Sequence, residues 1–143
     1  MAEQHYSNLI ITRPREKDIK EFEEVGEYRK SNVYMDETIV PGGFYLQGTW
    51  IYKASDYPYP DEVHSHDEVE YLGFIGTNPD DPFDLGGEVE LRLGGETYTL
   101  TETSMVMVPS GVEHCPIYFR RVDSPIWFFA TMPRNVYDSK KQG

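Results

Sequence analysis

Between residues 87 and 93 the chain alternates without exception: Val89, Leu91 and Leu93 fall on one side, Glu88, Glu90 and Arg92 on the other. Period two means a strand with one face buried and one wet. Gly94 and Gly95 follow directly and suit a two-residue hairpin turn. Similar β-rich runs, punctuated by Gly and Pro, predict strands at 44–53, 69–75, 96–100, 104–108, 114–121 and 126–132. The tripeptide at 123–125 reads as another tight turn, and the acidic stretch 76–87 as a long loop. Upstream the pattern differs. Ile19, Phe22 and Val25 fall at i, i+3 and i+6 within the charged segment 13–30, which predicts one short helix ended by Gly26. The expected class is therefore all-β, an antiparallel sandwich or barrel with a short N-terminal helical segment.

Composition narrows the function. A length of 143 residues, 38% hydrophobic, fits one globular domain. Eleven Tyr and two Trp are more amphipathic rings than an aliphatic core needs, and suggest a site that is part dry and part polar. A formal charge of −12 argues against nucleic acid and against an anionic membrane surface. The acid is also clustered: from Ala54 to Leu91 there are eleven Asp and Glu and no Lys or Arg, as expected where a cation is held. Cys115 is the only cysteine, so no intramolecular disulfide forms. The apolar run at 8–11 is too short for a signal segment and nothing reaches membrane-spanning length, so a cytoplasmic location is expected.

The candidate chemistry lies in "HSHDEVE", His64 to Glu70. His64 and His66, two apart on a strand, aim their rings to one face, and Glu70 shares their parity. A second segment, "PSGVEH", turns at Pro109 and Gly111 and delivers His114 to the start of a strand. A lone histidine is usually a surface or core residue. The combination across one β domain favours a metal site over a salt-bridged surface. His5 stands apart in the N-terminal tail.

"HSHDEVEYLGFIG" and "VPSGVEHCPIY" resemble the two conserved motifs of the cupin superfamily, over about residues 44–132. The resemblance implies a double-stranded β-helix (jelly-roll) barrel over 44–132, preceded by an arm at 1–43 and followed by a tail at 133–143. It also implies a metal held by His64, His66, Glu70 and His114. Three positions depart from the pattern: Pro58 and Thr103 stand where glycines are usual, and Tyr118 where asparagine is frequent. These touch turns and pocket lining and leave the substrate class open. Small cupins resemble one another in forming homodimers, with an N-terminal strand exchanged between subunits; "SNLIIT", 7–12, is the apolar strand available for it.

Three neutral imidazoles and one carboxylate suit one divalent transition ion such as Mn, Fe, Zn, Ni or Cu, and disfavour Ca and Mg. Two open neighbouring positions would chelate a small keto, enol, diketone or carboxylate substrate. The expected activity is Lewis-acid lyase, hydrolase or isomerase chemistry. The alternatives are an oxygen-dependent dioxygenase, or a non-catalytic small-molecule-binding protein. Strand parity nominates Glu68, with His66, as general base and Tyr118, with His114, as acid or base. The same parity makes Arg120 a clamp for a substrate carboxylate and turns Cys115 to the opposite face. Asp67 and Glu113 read as solvated turn residues. Trp50, Tyr52, Leu72, Phe74, Trp127 and Phe129 are candidates for an apolar substrate wall.

Overall fold

A computed structural model describes residues 4–21 and 26–133. Eight strands follow a short 3-10 turn at Ser7–Leu9 and a helix α1 at Glu16–Glu21. They are β1 (Arg29–Met35), β2 (Tyr45–Ile51), β3 (Glu70–Ile75), β4 (Asp84–Leu93), β5 (Glu96–Glu102), β6 (Ser104–Val108), β7 (His114–Val122) and β8 (Ile126–Met132). All pairings are antiparallel. One sheet has the order β1-β2-β8-β3-β6, the other β5-β4-β7. Among the described residues no helix is long and apolar enough to cross a membrane.

The alternating run behaves as its pattern requires: Val89 and Leu91 are buried and pair toward Phe119 and Ile117 on β7. Between the sheets, Phe74, Leu85, Ile126 and Phe128 complete the core, with the Phe74 and Phe128 rings stacked 5.1 Å apart. Burying rings of this size contributes about 2 kcal/mol each relative to exposure, which holds the two sheets face to face.

Three boundaries differ from the sequence expectation. The barrel begins at Arg29, not at 44, because β1 pairs with β2 along its length. A bulge between Ser31 and Val33 breaks the alternation of β1, and its buried Ser31 is polar, so the segment lacks a strand's signature. β4 begins at Asp84, inside the stretch expected to be loop. The apolar segment at 7–12 is not a strand within the single chain: Leu9 and Ile10 are exposed and meet no strand to pair with. Helix α1 carries Ile19 as expected, while Phe22 and Val25 lie outside the described residues, as does the tail beyond 133.

One irregular segment matters most for function. Residues 52–64 lie alongside β7 without forming a named strand. Ser55 N bonds Phe119 O (3.2 Å), Tyr59 N bonds Ile117 O (2.8 Å), and His64 and His114 exchange both main-chain bonds at 3.1 and 2.9 Å. That pairing brings the first histidine motif onto the second.

Candidate metal centre

His64 sits on this isolated bridge, His66 two residues on, Glu70 opens β3 and His114 opens β7. Gly111, at φ +78°, makes the turn before β7, and its N–H bonds His66 O at 2.9 Å, locking the two motifs together. As a result one ligand atom from each of His64, His66, Glu70 and His114 lies within 4.8 Å of the others. His66, Glu70 and His114 are buried.

Each ring is fixed from behind. His64 Nδ1 meets Glu62 O at 2.8 Å, His66 Nδ1 meets Glu68 O at 2.8 Å, and His114 Nδ1 meets Val112 O at 3.0 Å. A carbonyl only accepts, so each Nδ1 carries the hydrogen and donates it. In a neutral ring that leaves Nε2 as a bare lone pair, the form that binds metal. Yet Nε2 of His66 and of His114 lie 3.2 and 2.9 Å from Glu70 Oε1, an acceptor. Acceptors gathered around a carboxylate need a cation between them, either a proton on an imidazole or a metal ion. The donor set therefore fits one divalent transition ion.

The electrostatics agree. Burial alone would raise the Glu70 pKa, but hydrogen bonds from His114 and His66, donated when Nε2 carries a second proton, outweigh it and hold the pKa at about 2. Burial lowers the pKa of His64, against the pull of the Glu62 carbonyl and helped by the neighbouring His114, and so favours the neutral, ligating ring.

The cluster forms part of the wall of a cavity of about 390 Å³. Leu72, Phe128 and Ala130 supply its apolar side. Beside them on the same sheet runs a buried hydrogen-bonded ladder on β1 and β2: Tyr45 Oη donates to Gln47 Oε1 (2.9 Å), Gln47 Nε2 donates to Ser31 Oγ (3.0 Å), and Ser31 and Thr49 hydroxyls meet at 3.1 Å. Tyr45, Gln47, Thr49 and Arg29 all line the cavity.

The four expected metal ligands are thus brought together; the other expected site residues are not. Glu68 stands behind the His66 ring, its carboxylate 4.0 Å from Nδ1 and on the far side from Nε2, where it supports the ring instead of facing the cavity. Tyr118 and Arg120 point outward: Arg120 bonds Glu90 at 3.1 Å and lies over the Tyr118 ring. Cys115 instead lines the cavity. One backbone irregularity causes all three reversals. His114 pairs with Leu93 but Ile117 with Leu91, so β7 carries one extra residue and its parity flips, with Cys115 at φ +72°. Burial and the nearby Glu70 charge push the Cys115 thiol up, away from thiolate.

Trp50 and Trp127 oppose each other on the outer face of the five-stranded sheet. Trp127 lies over Gly48 and Phe129 over Gly73; a Cβ at either glycine would come within 2.3 and 1.9 Å of those rings. Tyr52 lies past the end of β2 and is exposed. Phe74 is core, one ring behind the Phe128 that lines the cavity. Of the expected apolar wall only Leu72 is in place. The ladder was legible in principle: Tyr45, Gln47 and Thr49 share one parity in a predicted strand. On this strand the polar face is the cavity and the apolar face, with Trp50, is outside.

No protein-family model and no curated protein matches the sequence. Solved structures do match in shape. A predicted oxalate decarboxylase from Thermotoga maritima aligns at TM-score 0.50 and 12% identity, over 73% of this chain and 78% of that one. An oxalate decarboxylase of Lactobacillus farciminis, in a formate complex, aligns at TM-score 0.52 and 15% identity, over 80% of this chain but 31% of that one. An RmlC-like cupin from Shewanella frigidimarina aligns at TM-score 0.42 and 17% identity, over 73% and 74% of the two chains. The chain is a small protein of the cupin fold. Its two motifs meet in a three-histidine, one-glutamate cluster that could hold one metal ion.

Proposed function

We propose that this cupin-fold protein is a metal-dependent enzyme acting on a small oxygenated substrate, a keto, enol, diketone or carboxylate compound, by lyase, hydrolase or isomerase chemistry. The observation that carries the reading is the convergence of three pre-oriented imidazoles and Glu70, of which His64, Glu70 and His114 line a cavity of about 390 Å³. That volume is at the small end of ligand sites. When bound there, a divalent ion supplies a Lewis acid that polarises a substrate carbonyl. The chain supplies the rest. Main-chain carbonyls hold the ligand rings, Leu72, Phe128 and Ala130 exclude water from one part of the sheet wall, and the Tyr45–Gln47–Ser31–Thr49 ladder beside them orients the substrate. With Glu68 and Tyr118 turned away, the proton-transfer role passes to the titratable groups that line the cavity beside the ligands, Tyr45, Asp61 and Glu62.

The test is elemental analysis of protein purified without added metal, wild type and His66→Ala, with turnover of a diketone and hydroxy-acid panel followed with and without oxygen. Near-stoichiometric metal in wild type alone, with turnover unchanged under nitrogen, is the expected result. Stoichiometric iron with oxygen consumption would replace it with the dioxygenase reading. Equal trace metal in both proteins would refute the four-ligand centre and leave a binding protein.

The working unit in this proposal is a homodimer. The outer face of the five-stranded sheet exposes Met105 (65%), Met107 (50%) and Tyr71 (41%) beside Trp50 and Trp127. In a chain of charge −12, a second copy approaches most readily through a face built of uncharged side chains.

A further inference from the structure

The cavity is longer than the metal centre needs. Leu72 on β3 pairs through Ala130 to Gln47 on β2, so Glu70, two residues earlier, is level with Tyr45 at one end of the ladder. Thr49 stands four residues beyond Tyr45, about 13 Å along the strand. Ser31 pairs with Thr49, and Arg29 lies two pairs further still, opposite Ile51. The Arg29 guanidinium rests 4.0 Å above the Tyr59 ring. Tyr59 in turn bonds Ile117, which stands two ladder positions along β7 from His114, across the bulge at Cys115.

Arg29 is the one Arg or Lys among the described residues that line this cavity, while Asp61 and Glu62 line it with the opposite charge. A ligand carboxylate reaching past the metal therefore has a single cation to meet, and a planar guanidinium meets it with two hydrogen bonds. Between the two ends, Gln47 and Thr49 present amide and hydroxyl groups to whatever spans them.

Resting on the metal-centre reading above, we infer that the substrate is an extended acid held at both ends: chelating oxygens at the metal centre, a second carboxylate on Arg29, and hydroxyl or keto oxygens along the Gln47–Thr49 wall. The length of that acid is set by the span from the metal centre to Arg29, and a series of hydroxy-diacids of increasing length reads it out.

The test uses full-length protein loaded with one equivalent of Co2+, whose visible spectrum reports the centre and whose ligand affinity is measured by calorimetry. The probes are lactate, malate, 2-hydroxyglutarate, 2-hydroxyadipate, and 2-hydroxyglutarate amidated at its remote carboxyl. Wild type should bind at least one of the three diacids about tenfold more tightly than lactate, and 2-hydroxyglutarate more tightly than its remote amide. Arg29→Met should remove that preference while lactate affinity and the Co2+ spectrum stay unchanged, the control for folding. Arg29→Lys should restore part of it. If Co2+ binds but diacid, amide and lactate bind alike, or Arg29→Met keeps the preference, the two-ended acid is overturned and the metal centre stands. If Co2+ does not bind to wild type, the metal reading falls and this inference falls with it.

Discussion

Glu70→Gln separates the two cations that could occupy the centre, the proton and the metal. Glu70 is buried, and its hydrogen bonds with His114 and His66 hold its pKa at about 2, against an ordinary value of 4.5, despite the opposing effect of burial. At 1.36 kcal/mol per pKa unit the interaction is worth about 3 kcal/mol in the metal-free protein. The folded pKa lies below the unfolded one. The stabilisation is therefore complete above about pH 4.5 and is lost as pH falls toward 2, with about 2 kcal/mol of it gone by pH 3. Glutamine keeps the shape and removes the titrating group, and the remaining acids titrate alike in both proteins and cancel in the comparison. In chelator-stripped samples unfolded by urea, wild type should lose about 2 kcal/mol more than the variant between pH 6 and pH 3. Parallel acid limbs, agreeing within about 0.5 kcal/mol, would mean that Glu70 is not engaged by the histidines and that the cluster geometry is wrong. With metal restored, wild type gains about 2.7 kcal/mol at a hundred times the dissociation constant, and the variant, lacking its anionic ligand, gains less at the same concentration.

Gly76→Ala would set a Cβ 2.0 Å from the main-chain oxygen of Asp84, which has no side-chain freedom to yield. It should cost at least about 2 kcal/mol by urea unfolding, and wild-type stability would refute the close approach of β3 and β4 there. Tyr118→Phe and Arg120→Ala should leave metal content and ligand affinity unchanged, since both side chains face outward; a tenfold loss of affinity would return them to the cavity. Met105→Lys with Met107→Lys should convert the proposed dimer to a monomer by light scattering with metal content intact. A dimer that persists would move the interface elsewhere.

The four-ligand cluster was readable because its logic is chemical: few residue types bind a transition ion, and spacings of two and four along one segment already confine three of them. The fourth came from a turn signal, Pro109 and Gly111, that fixes where a strand begins. Parity counting failed where the backbone departs from a regular ladder. One extra residue on β7 after His114 exchanged the faces of Cys115, Tyr118 and Arg120, and the one residue in "HCPIYFRR" that announces an irregular ladder is Pro116, which lacks the N–H a regular strand donates. β2 failed differently. Its alternation was visible but its sign was not, because Tyr45, Gln47 and Thr49 face an internal cavity while Trp50 faces out. Hydrophobic patterning assumes that the dry side of a strand is the inside of the molecule. In a barrel that keeps a polar cavity beside a candidate metal cluster, and exposes a second, apolar face on the outside, both sides of the assumption invert on the same strand. A strand whose polar residues are Gln, Ser and Thr instead of Lys and Glu carries that inversion in its composition. Uncharged side chains can be buried once paired, whereas a solvated face has no reason to avoid charge.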